Sequence, residues 1–569
     1  MTDYNQYSRE KHINVIPEND FKELVSETFD TIASALRSTY GPYGASSIVS
    51  ESNETITTKD GYNVFLSLGF SYNYKKMVYL TIKKIIERVN RNVGDGTTSC
   101  ILIADKLFRN IEAILKTPDD KRRALAILDQ IEKRLQVPIE ETNFNQKMFP
   151  ATLTEKHFKN IIRLASNYDD ELTDVLMKAF DPVFDDTSKR LVSKRNIITE
   201  AQPSDSGSIN YEIKQLPGKY RVRVDMLGQN GLGTAAALML EVPTSIKIVL
   251  FDHTFTQNDW ALLTEKHDKE TPILVLATDF SRQFMDNEYL KHIKERNLVK
   301  RPLCFYIGRI RGYFIQEEVH DLAAVMDQTP WSLSTHMNVD YSQINEYTIQ
   351  LYGGNCLCFD NVEPPTEYIK QVEYDMKRDL SNSIAKRNDF IKRIAALKMD
   401  CQDTMLTVKA TSSLEAKLIT DKIDDCVSII DSAASNGVVP NMLRWAYRRL
   451  EMIDKMYVGE DDGLHDKIID AIQESIMGLF DDIWKSKYLN DMILTGEQFR
   501  DKFYDSDTWQ SFDIITDEFT DPSHLCTSAQ YDIEVVVAAI SIVKYLITSK
   551  QFIFDANLLR QFTDIPYTE

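Results

Sequence analysis

The feature that most constrains this chain is that its two ends carry a helical apolar pattern while its middle does not. Apolar side chains recur at helical spacing in Glu23–Tyr40 and Met77–Asn90, and a predominantly helical pattern returns after Thr366 and runs to Phe552. From about Tyr211 the middle instead carries short β-rich runs separated by amphipathic stretches. Two helical ends around such a middle predict that the ends fold together and that the centre is an inserted domain.

The charge balance limits the possible partners. The chain has 66 Lys and Arg against 86 Asp and Glu, which gives a formal net charge of −20. Binding to nucleic acid or to an anionic membrane surface requires a basic face, so we expect neither partner. The longest apolar candidate for a membrane span, Val535–Ile547, is far shorter than the ~18 residues needed.

The compartment is predicted from the cysteines and the first residues. The seven Cys are scattered and odd in number, unlike the dense, even sets of secreted disulfide scaffolds. The segment Met1–Arg9 is polar and lacks the apolar run of a secretory leader. We therefore expect a cytoplasmic protein.

The strongest local signal is the turn Gly94–Ser99 (GDGTTS) at the start of a predicted helix. Glycines permit close approach of the backbone, and the first-turn amides and hydroxyls are donors for an anion. Asp95 would repel a phosphate unless it held Mg²⁺ that bridges to the phosphates. The alternative is an ordinary helix-capping turn without a ligand.

Two further turns have side chains that suit the same site. Thr39–Gly44 (TYGPYG) offers backbone amides, and Thr57–Gly61 (TTKDG) places Asp60 where it could orient an attacking water. Each turn by itself is equally consistent with an ordinary solvated turn.

Several other kinds of site have no support in the sequence. No Walker A loop is present, and Gly228–Gly233 lacks the spacing of a dinucleotide-binding loop. Cys356 and Cys358 lack a second Cys or His pair at zinc spacing, so they are expected to be structural. The nine His do not cluster, which leaves a metallohydrolase or a Ser-His-Asp triad unsupported.

The three turns, in this order and spacing, resemble those of the GroEL-type, group I chaperonins. Thr39–Gly44 is similar to that family's Thr-Leu-Gly-Pro-Lys-Gly, Thr58–Gly61 to its Thr-Lys-Asp-Gly, and Gly94–Ser99 to its Gly-Asp-Gly-Thr-Thr-Thr. Farther along, Ile423–Cys426 followed by Ser435–Val439 resembles the family's Val-Glu-Asp-Ala helix and Glu-Gly-Val-Val. The resemblance covers nearly the whole chain, strongly at both ends and faintly in the middle.

The resemblance implies a multidomain α+β fold of the GroEL type. Both chain ends (1–145 and 436–569) would form a mostly helical equatorial domain that binds ATP. A small intermediate hinge domain would comprise 146–216 and 404–435, and an inserted α/β apical domain that binds clients would comprise 217–403.

The resemblance also assigns roles in an ATPase site. Asp425 and Asp60 would serve in-line hydrolysis, and Asp95 would hold Mg²⁺. Asp521, in a late Asp-Pro pair, would hold the ribose, and Asp505 would stand beside the adenine. The residues implied to bind the nucleotide are Thr39, Tyr40, Gly41, Pro42, Lys59, Asp60, Gly61, Asp95, Gly96, Thr97, Thr98, Ser99, Asp505 and Asp521.

The chain departs from the family pattern at several places. After Val439 the family has Ala-Gly-Gly-Gly, whereas Pro440–Leu443 (PNML) carries side chains that would crowd the nucleotide. The family's paired hinge glycines correspond to Cys401 and Gln402, and its Gly-Gly-Met-rich tail is missing.

The resemblance implies two kinds of partner. One is non-native client proteins, and the other is further copies of the chain in a ring of seven. Apolar residues on two amphipathic stretches of the middle domain are expected to contact clients: Trp260, Leu262, Leu263, Met285, Tyr289 and Leu290. The alternative is that they pack inward as core. A lid co-chaperonin is possible, but Met226–Leu232 shows no counterpart of the family's aromatic segment, so independence from a lid is open.

The function implied is that of an ATP-dependent chaperonin, an ATPase that assists folding inside a ring cavity. The alternative is a chaperonin-derived scaffold that binds nucleotide and assembles with little or no ATPase cycling. Pro440–Leu443 and the lost hinge glycines motivate that alternative. An unrelated ATP-dependent enzyme would need a second site in the middle domain, and the sequence offers none.

Overall fold

The structure is a computed structural model that divides the chain into two compact units. Unit 1 comprises 1–176, 183–192 and 421–569, and unit 2 comprises 177–182 and 193–420. The residues that the structure describes are 13–16, 18–51, 54–70, 74–93, 95–137, 150–166, 168–204, 207–216, 220–227, 240–266, 271–298, 305–311, 315–330, 345–352, 355–379, 384–399, 403–455, 463–488, 493–505, 509–549 and 552–555. The predicted division into three domains stays a prediction.

Unit 1 is mainly helical, as both chain ends predicted. Its helices include α1 (Glu18–Arg37), α2 (Gly61–Leu66), α3 (Tyr74–Val93), α4 (Thr97–Ile114), α5 (Pro118–Leu135) and α6 (Glu155–Ala165). The second half of the chain adds α15 (Arg444–Lys455), α16 (Leu464–Tyr488), α17 (Ile493–Asp505) and α18 (Ala529–Thr548). Helices α7 (Asp170–Phe180) and α14 (Ser413–Asn436) contribute residues to both units.

Helix α1 begins and ends earlier than the apolar pattern predicted. The prediction was Glu23–Tyr40, but α1 ends at Arg37, and the amides of Thr39 and Tyr40 bond back to its last turn. Thr39 and Tyr40 therefore belong to the turn before Gly41 and not to the helix. The correction matters because it places both residues beside the predicted nucleotide site.

The two most apolar helices form the centre of unit 1. Helices α4 and α18 pack against each other, and most residues of α18 are buried in the same core as those of α1, α3 and α16. The apolar run Val535–Ile547 is thus an interior helix. No helix in the described ranges combines the length and apolar character needed to cross a membrane.

The strands of unit 1 join segments from opposite ends of the chain. β1 (Ile13–Ile16) pairs antiparallel with β19 (Phe552–Asp555), and β15 (Val438–Pro440) pairs antiparallel with β18 (Cys526–Ser528). Short antiparallel pairs complete the unit: β2 (Ser47–Glu51) with β3 (Glu54–Thr58), β4 (Val183–Phe184) with β5 (Leu191–Ser193), and β16 (Ser511–Asp513) with β17 (Glu518–Thr520). The prediction that the two ends fold together is confirmed.

Unit 2 consists of a closed six-stranded barrel and a three-stranded sheet. The barrel order is β10-β11-β8-β13-β12-β9, and the sheet order is β6-β14-β7. The strands are β6 (Asn196–Pro203), β7 (Asn210–Gln215), β8 (Tyr220–Met226), β9 (Thr244–Phe255), β10 (Ile273–Phe280), β11 (Phe305–Arg311), β12 (Glu346–Tyr352), β13 (Cys356–Phe359) and β14 (Asp403–Ala410). The β-rich runs of the sequence are therefore strands of a mixed sheet, as the predicted α/β middle requires.

Helices cover the barrel. They are α8 (Gln257–Lys266), α9 (Arg282–Phe284), a π-helical turn (Met285–Tyr289), α10 (Leu290–Leu298), α11 (Ile315–Val325), α12 (Thr366–Arg378) and α13 (Ile384–Leu397). Residues alternate along β9: Ile248 and Leu250 join one core, while Val249 and Phe251 face a second core. This alternation is the period-2 pattern of a strand buried on both faces.

The predicted client-binding residues do not form one exposed surface in unit 2. Trp260, Leu263 and Tyr289 are buried in the second core, where Trp260 packs against the ring of Phe284. Leu262, Met285 and Leu290 are half-buried. The prediction is wrong for the first three residues, because the aromatic and aliphatic groups that the helices carry cover β9, β10 and β11.

A buried ion pair ties the helical cover of the barrel together. Arg393 of α13 donates two hydrogen bonds of 2.8 Å, one to each carboxylate oxygen of Asp321 in α11. Both side chains are almost fully buried, and Asp321 is in addition close to Tyr368. A bidentate geometry satisfies both charges, so loss of one partner would leave the other charge buried.

We predict that Asp321→Ala destabilises unit 2 by about 3–5 kcal/mol, because the Arg393 guanidinium loses its buried partner. Glu367→Ala is the matched control, since it removes an exposed i,i+3 pair with Lys370 and should change stability by no more than about 1 kcal/mol. Urea denaturation followed by circular dichroism measures both. Equal midpoints for the two variants would contradict the assignment.

Candidate nucleotide site

The turn before α4 has the geometry that its glycines predicted. Gly96 is the N-cap of α4 with φ 89°, a left-handed conformation that suits glycine. A Cβ on Gly96 would lie 2.5 Å from Val535 and 2.7 Å from the Tyr531 ring, both in α18. The amides of Thr97, Thr98 and Ser99 begin an 18-residue helix and are available to an anion. Gly94 lies outside the described residues.

The turn that follows α1 contacts this cradle. Gly41 has φ 76°, and the amide of Ala45 bonds to the carbonyl of Ser38 at 2.7 Å, which closes the turn. The Tyr40 hydroxyl lies 2.9 Å from the hydroxyl of Ser99. Tyr40 therefore connects the first predicted turn to the first turn of α4.

The third predicted turn contacts the other two. The ammonium of Lys59 donates a 2.9 Å hydrogen bond to the carbonyl of Pro42. A Cβ on Gly61 would overlap the hydroxyl oxygen of Thr98. Thr39–Gly44, Thr57–Gly61 and Asp95–Ser99 thus lie together, although they are separated in the sequence by helices and a hairpin.

Asp425 on α14 completes a group of three carboxylates with Asp60 and Asp95. Burial raises the pKa of Asp425 well above its ordinary value, and the negative charges of Asp60 and Asp95 raise it further. Burial likewise raises the pKa values of Asp60 and of Asp95, and Asp60 adds to the effect on Asp95. Because electrostatic repulsion weakens with distance, these effects indicate that the three carboxylates lie near one another in unit 1.

Asp95 is exposed, as a residue that lines the wall of a concave site would be. The residue is open to solvent, yet protein atoms surround it closely enough for burial to raise its pKa. Its carboxylate accepts a hydrogen bond from the Gly96 amide. Three carboxylates beside a helix N-terminus fit a hard divalent cation held by oxygen ligands, and Mg²⁺ suits such a site because it takes carboxylate together with phosphate oxygens.

Asp60 also has a structural role that the sequence did not predict. It is the N-cap of α2, and its two oxygens accept hydrogen bonds of 3.1 Å from the amides of Tyr62 and Asn63. The cap fixes the orientation of the carboxylate. Each oxygen keeps a second lone pair, so the cap leaves Asp60 able to accept a bond from water.

Two further predicted nucleotide residues, Asp505 and Asp521, also belong to unit 1. Asp505 is exposed at the end of α17, and its charge raises the pKa of Tyr447 after the larger effect of burial. Asp521 is exposed in the turn after β17 and accepts hydrogen bonds from the amide and hydroxyl of Ser523, which lower its pKa. Asp521 also lies near the positive charge of Lys156, which lowers its pKa further.

The segment Pro440–Leu443 adopts a backbone that normally favours glycine. Met442 and Leu443 have φ values of 57° and 56°, both in the left-handed region. Such a conformation in a residue with a side chain costs of order 1 kcal/mol. Two contacts hold the segment: the Tyr504 hydroxyl donates to the Met442 carbonyl at 2.8 Å, and the Asn441 amide donates to the Phe512 carbonyl at 3.0 Å. This segment therefore adopts a glycine-like backbone with side chains in place.

Two residues that sequence reasoning missed belong to the site. Tyr531 of α18 hydrogen-bonds Ser99, and its pKa is raised by burial and then by the charge of Asp95. Lys422 lies one turn before Asp425 on α14, and its charge lowers the pKa of Asp60 against the effect of burial. Lys422 could have been predicted, because residues three apart on a helix lie on the same face and Lys422 is three residues before Asp425. Tyr531 could not, because nothing in the sequence distinguishes it from the other tyrosines.

The chain is similar in sequence to known chaperonins. Residues 32–210 match the TCP-1/cpn60 chaperonin family. The chain is similar to the mitochondrial chaperonin CPN60-like 1 of Arabidopsis thaliana, with 20% identity over 93% of this chain and 87% of that protein.

Solved structures give the same result for the fold. The chaperonin gp146 of the Pseudomonas aeruginosa bacteriophage EL 2, crystallised with ATP-BeFx, superposes with a TM-score of 0.65 and 18% identity in one crystal form. A second form gives 0.61 and 17%, and each covers 95% of this chain and 99% of the phage chain. The fold is therefore the multidomain α+β fold of the chaperonins, as predicted.

The chain is thus similar to the chaperonins in sequence, in residues 32–210 and at 20% identity to a chaperonin-like relative, and in fold over nearly its whole length.

We predict that Gly61→Ala weakens binding of Mg-ATP by at least tenfold, because the added methyl displaces the hydroxyl of Thr98 from the cradle. Gly69→Ala is the matched control, since nothing lies within 4 Å of a Cβ at that position. Isothermal titration of each variant with a non-hydrolysable ATP analogue and Mg²⁺ measures the effect. Unchanged affinity for Gly61→Ala would contradict the placing of Thr98 against the phosphates.

Proposed function

We propose that this protein is an ATP-dependent chaperonin that captures non-native proteins and assists their folding in a ring cavity, driven by Mg-ATP binding and hydrolysis. The observation that carries the proposal is the convergence of Asp60, Asp95 and Asp425 on a glycine cradle at the N-terminus of α4. Three like charges held close together are unfavourable without a cation. A metal-bound triphosphate would supply both that cation and an anion for the helix amides.

Each group has a chemical task in this proposal. The amides of Thr97, Thr98 and Ser99 bind phosphate oxygens, and Asp95 holds Mg²⁺, which neutralises charge on the phosphates when bound. Asp425 accepts a hydrogen bond from the attacking water and orients it. Asp60, fixed by its cap on α2, supports the same water or the metal. Lys422 and Lys59 partly offset the negative charge of the carboxylates.

The wider proposal concerns assembly and clients. We infer a ring of identical chains, heptameric as the resemblance implies, in the cytoplasm, with non-native proteins as clients and a lid co-chaperonin as an open option. The burial of Trp260, Leu263 and Tyr289 removes them from the proposed client surface. Leu262, Met285 and Leu290 remain as half-buried apolar groups that clients could contact.

One observation favours the alternative of a scaffold that binds nucleotide without cycling. The ring of Tyr531 adds bulk at the cradle, where it would lie 2.7 Å from a Cβ on Gly96. Such bulk can hold one nucleotide state and slow the exchange between states. Negligible ATP turnover by intact rings would favour this second candidate.

We predict that Asp425→Asn lowers ATP turnover by at least about 10²-fold, because the neutral amide no longer polarises water, while Mg-ATP binding is retained. Asp424→Asn is the matched control, since it removes the same charge at the adjacent position of the same helix. Phosphate release measures turnover, and equilibrium titration measures binding. Full turnover by Asp425→Asn would remove Asp425 from the reaction.

The raised pKa values of the three carboxylates also predict a pH dependence of stability. The folded state binds their protons more tightly than the unfolded chain, so this stabilisation is complete below about pH 4 and is lost as pH rises through the folded pKa values. Asp425→Asn should therefore melt at a higher temperature than the wild type at pH 7 to 8, with the difference vanishing near pH 4. Thermal melts without nucleotide measure it, and a constant difference would contradict the cluster.

A further inference from the structure

Two cysteines on one barrel strand of unit 2 lie side by side in the interior. Cys356 and Cys358 are separated by one residue of β13, so their side chains project from the same face of the strand. Their sulfur atoms are 4.0 Å apart, and each residue is 1% exposed. Leu357, between them, faces the opposite core. The arrangement is a preformed pair of sulfur ligands.

The environment of the pair is soft and apolar. Leu216, Tyr352 and the thioether-bearing Met405 form a small core with the two cysteines, at the place where the barrel and the three-stranded sheet of unit 2 adjoin. In the part of the chain that the structure describes, no group of three potential His, Cys, Asp or Glu ligands includes either cysteine. A four-coordinate zinc site of the usual kind is therefore not built here.

A cation stands next to the pair. Arg221 of β8 is the direct cross-strand neighbour of Cys358, and it is held by a 2.6 Å ion pair with the buried Asp403. Asn196 donates a further 3.0 Å hydrogen bond to Asp403. Arg221 thus places a positive charge beside the two sulfurs, where it can offset negative charge that develops on them.

The distance between the two sulfur atoms distinguishes disulfide formation from metal binding. A disulfide requires about 2.05 Å between the sulfurs and a Cα separation of 4.4–6.8 Å. Alternate residues of a strand are about 6.6 Å apart, at the far end of that range, so closing the bond would distort β13. A linear S–Cu–S unit with bonds of about 2.2 Å needs about 4.4 Å between the sulfurs, so small rotations of the two side chains from 4.0 Å would admit the ion without movement of the strand.

We propose that Cys356 and Cys358 form a binding site for one monovalent copper ion. Thiolate and thioether ligands select Cu(I) over hard cations, and a low coordination number suits a pair of thiolates. Binding replaces two protons: two thiols and Cu(I) become a bis-thiolate complex of charge −1, and two protons are released. Arg221 offsets the negative charge of the complex, and no oxidant or reductant takes part.

The test titrates the reduced, full-length protein with Cu(I) under anaerobic conditions, in competition with the chelator bathocuproine disulfonate. We expect one equivalent of copper per chain, and at least a 100-fold loss of affinity in Cys356→Ser and in Cys358→Ser. Cys526→Ser, which changes a buried cysteine of unit 1, is the control and should bind like the wild type. No uptake by the wild type, or equal uptake by all variants, would overturn the proposal.

A second measurement keeps the test independent of the folding of the variants. X-ray absorption at the copper edge of the loaded wild type should show sulfur ligands at about 2.2–2.3 Å, and a shell of nitrogen or oxygen alone would overturn the proposal. Thiol counting after treatment of the metal-free protein with hydrogen peroxide addresses the disulfide. Loss of two thiols in the wild type, absent in Cys356→Ser, together with no copper uptake, would make the pair a redox site instead.

Discussion

The repulsion among Asp60, Asp95 and Asp425 is the main constraint on the candidate nucleotide site. The three carboxylates come from a strand-to-helix turn, a helix start and a long helix, and they meet in one region where burial already disfavours charge. Their repulsion works against the folded state, and a protein retains such an arrangement where function requires it. Nearby, Gly61 and Gly96 allow the backbone to pack where any side chain would collide.

The helices and strands of unit 1 hold these groups against that repulsion. The pairing of β15 with β18 and of β1 with β19 closes residues near the start and the end of the chain into one body. Helix α18 contributes both the interior of the core and Tyr531, which touches the cradle. Asp532, the next residue, is buried and accepts the Trp445 amide at 2.9 Å, so the same helix also fixes the start of α15. Core packing and site geometry therefore rest on the same segment.

The sequence predicted the parts of this architecture that depend on periodicity and on glycine. The helical ends and the β-rich middle were predictable from the spacing of apolar residues, and the three turns from Gly41, Gly61 and Gly96. The orientation of the helices that carry Trp260 and Tyr289 in unit 2 was not predictable, because both residues are equally suited to a client surface and to a core. The partner of Ser99, Tyr531, comes from a segment more than 400 residues away, and a contact of that separation leaves no local pattern. Met442 and Leu443 are a different case, because both adopt the left-handed backbone that glycine favours although neither is glycine.

The most direct test of the central claim is a structure of the assembled protein with Mg²⁺ and an ATP analogue that mimics the transferred phosphate. We predict Mg²⁺ within about 2.0–2.1 Å of a carboxylate oxygen of Asp95. Phosphate oxygens should accept hydrogen bonds from the amides of Thr97–Ser99, and the Asp425 carboxylate should face the terminal phosphate. Nucleotide bound elsewhere, or bound here with the metal away from Asp95, would contradict it.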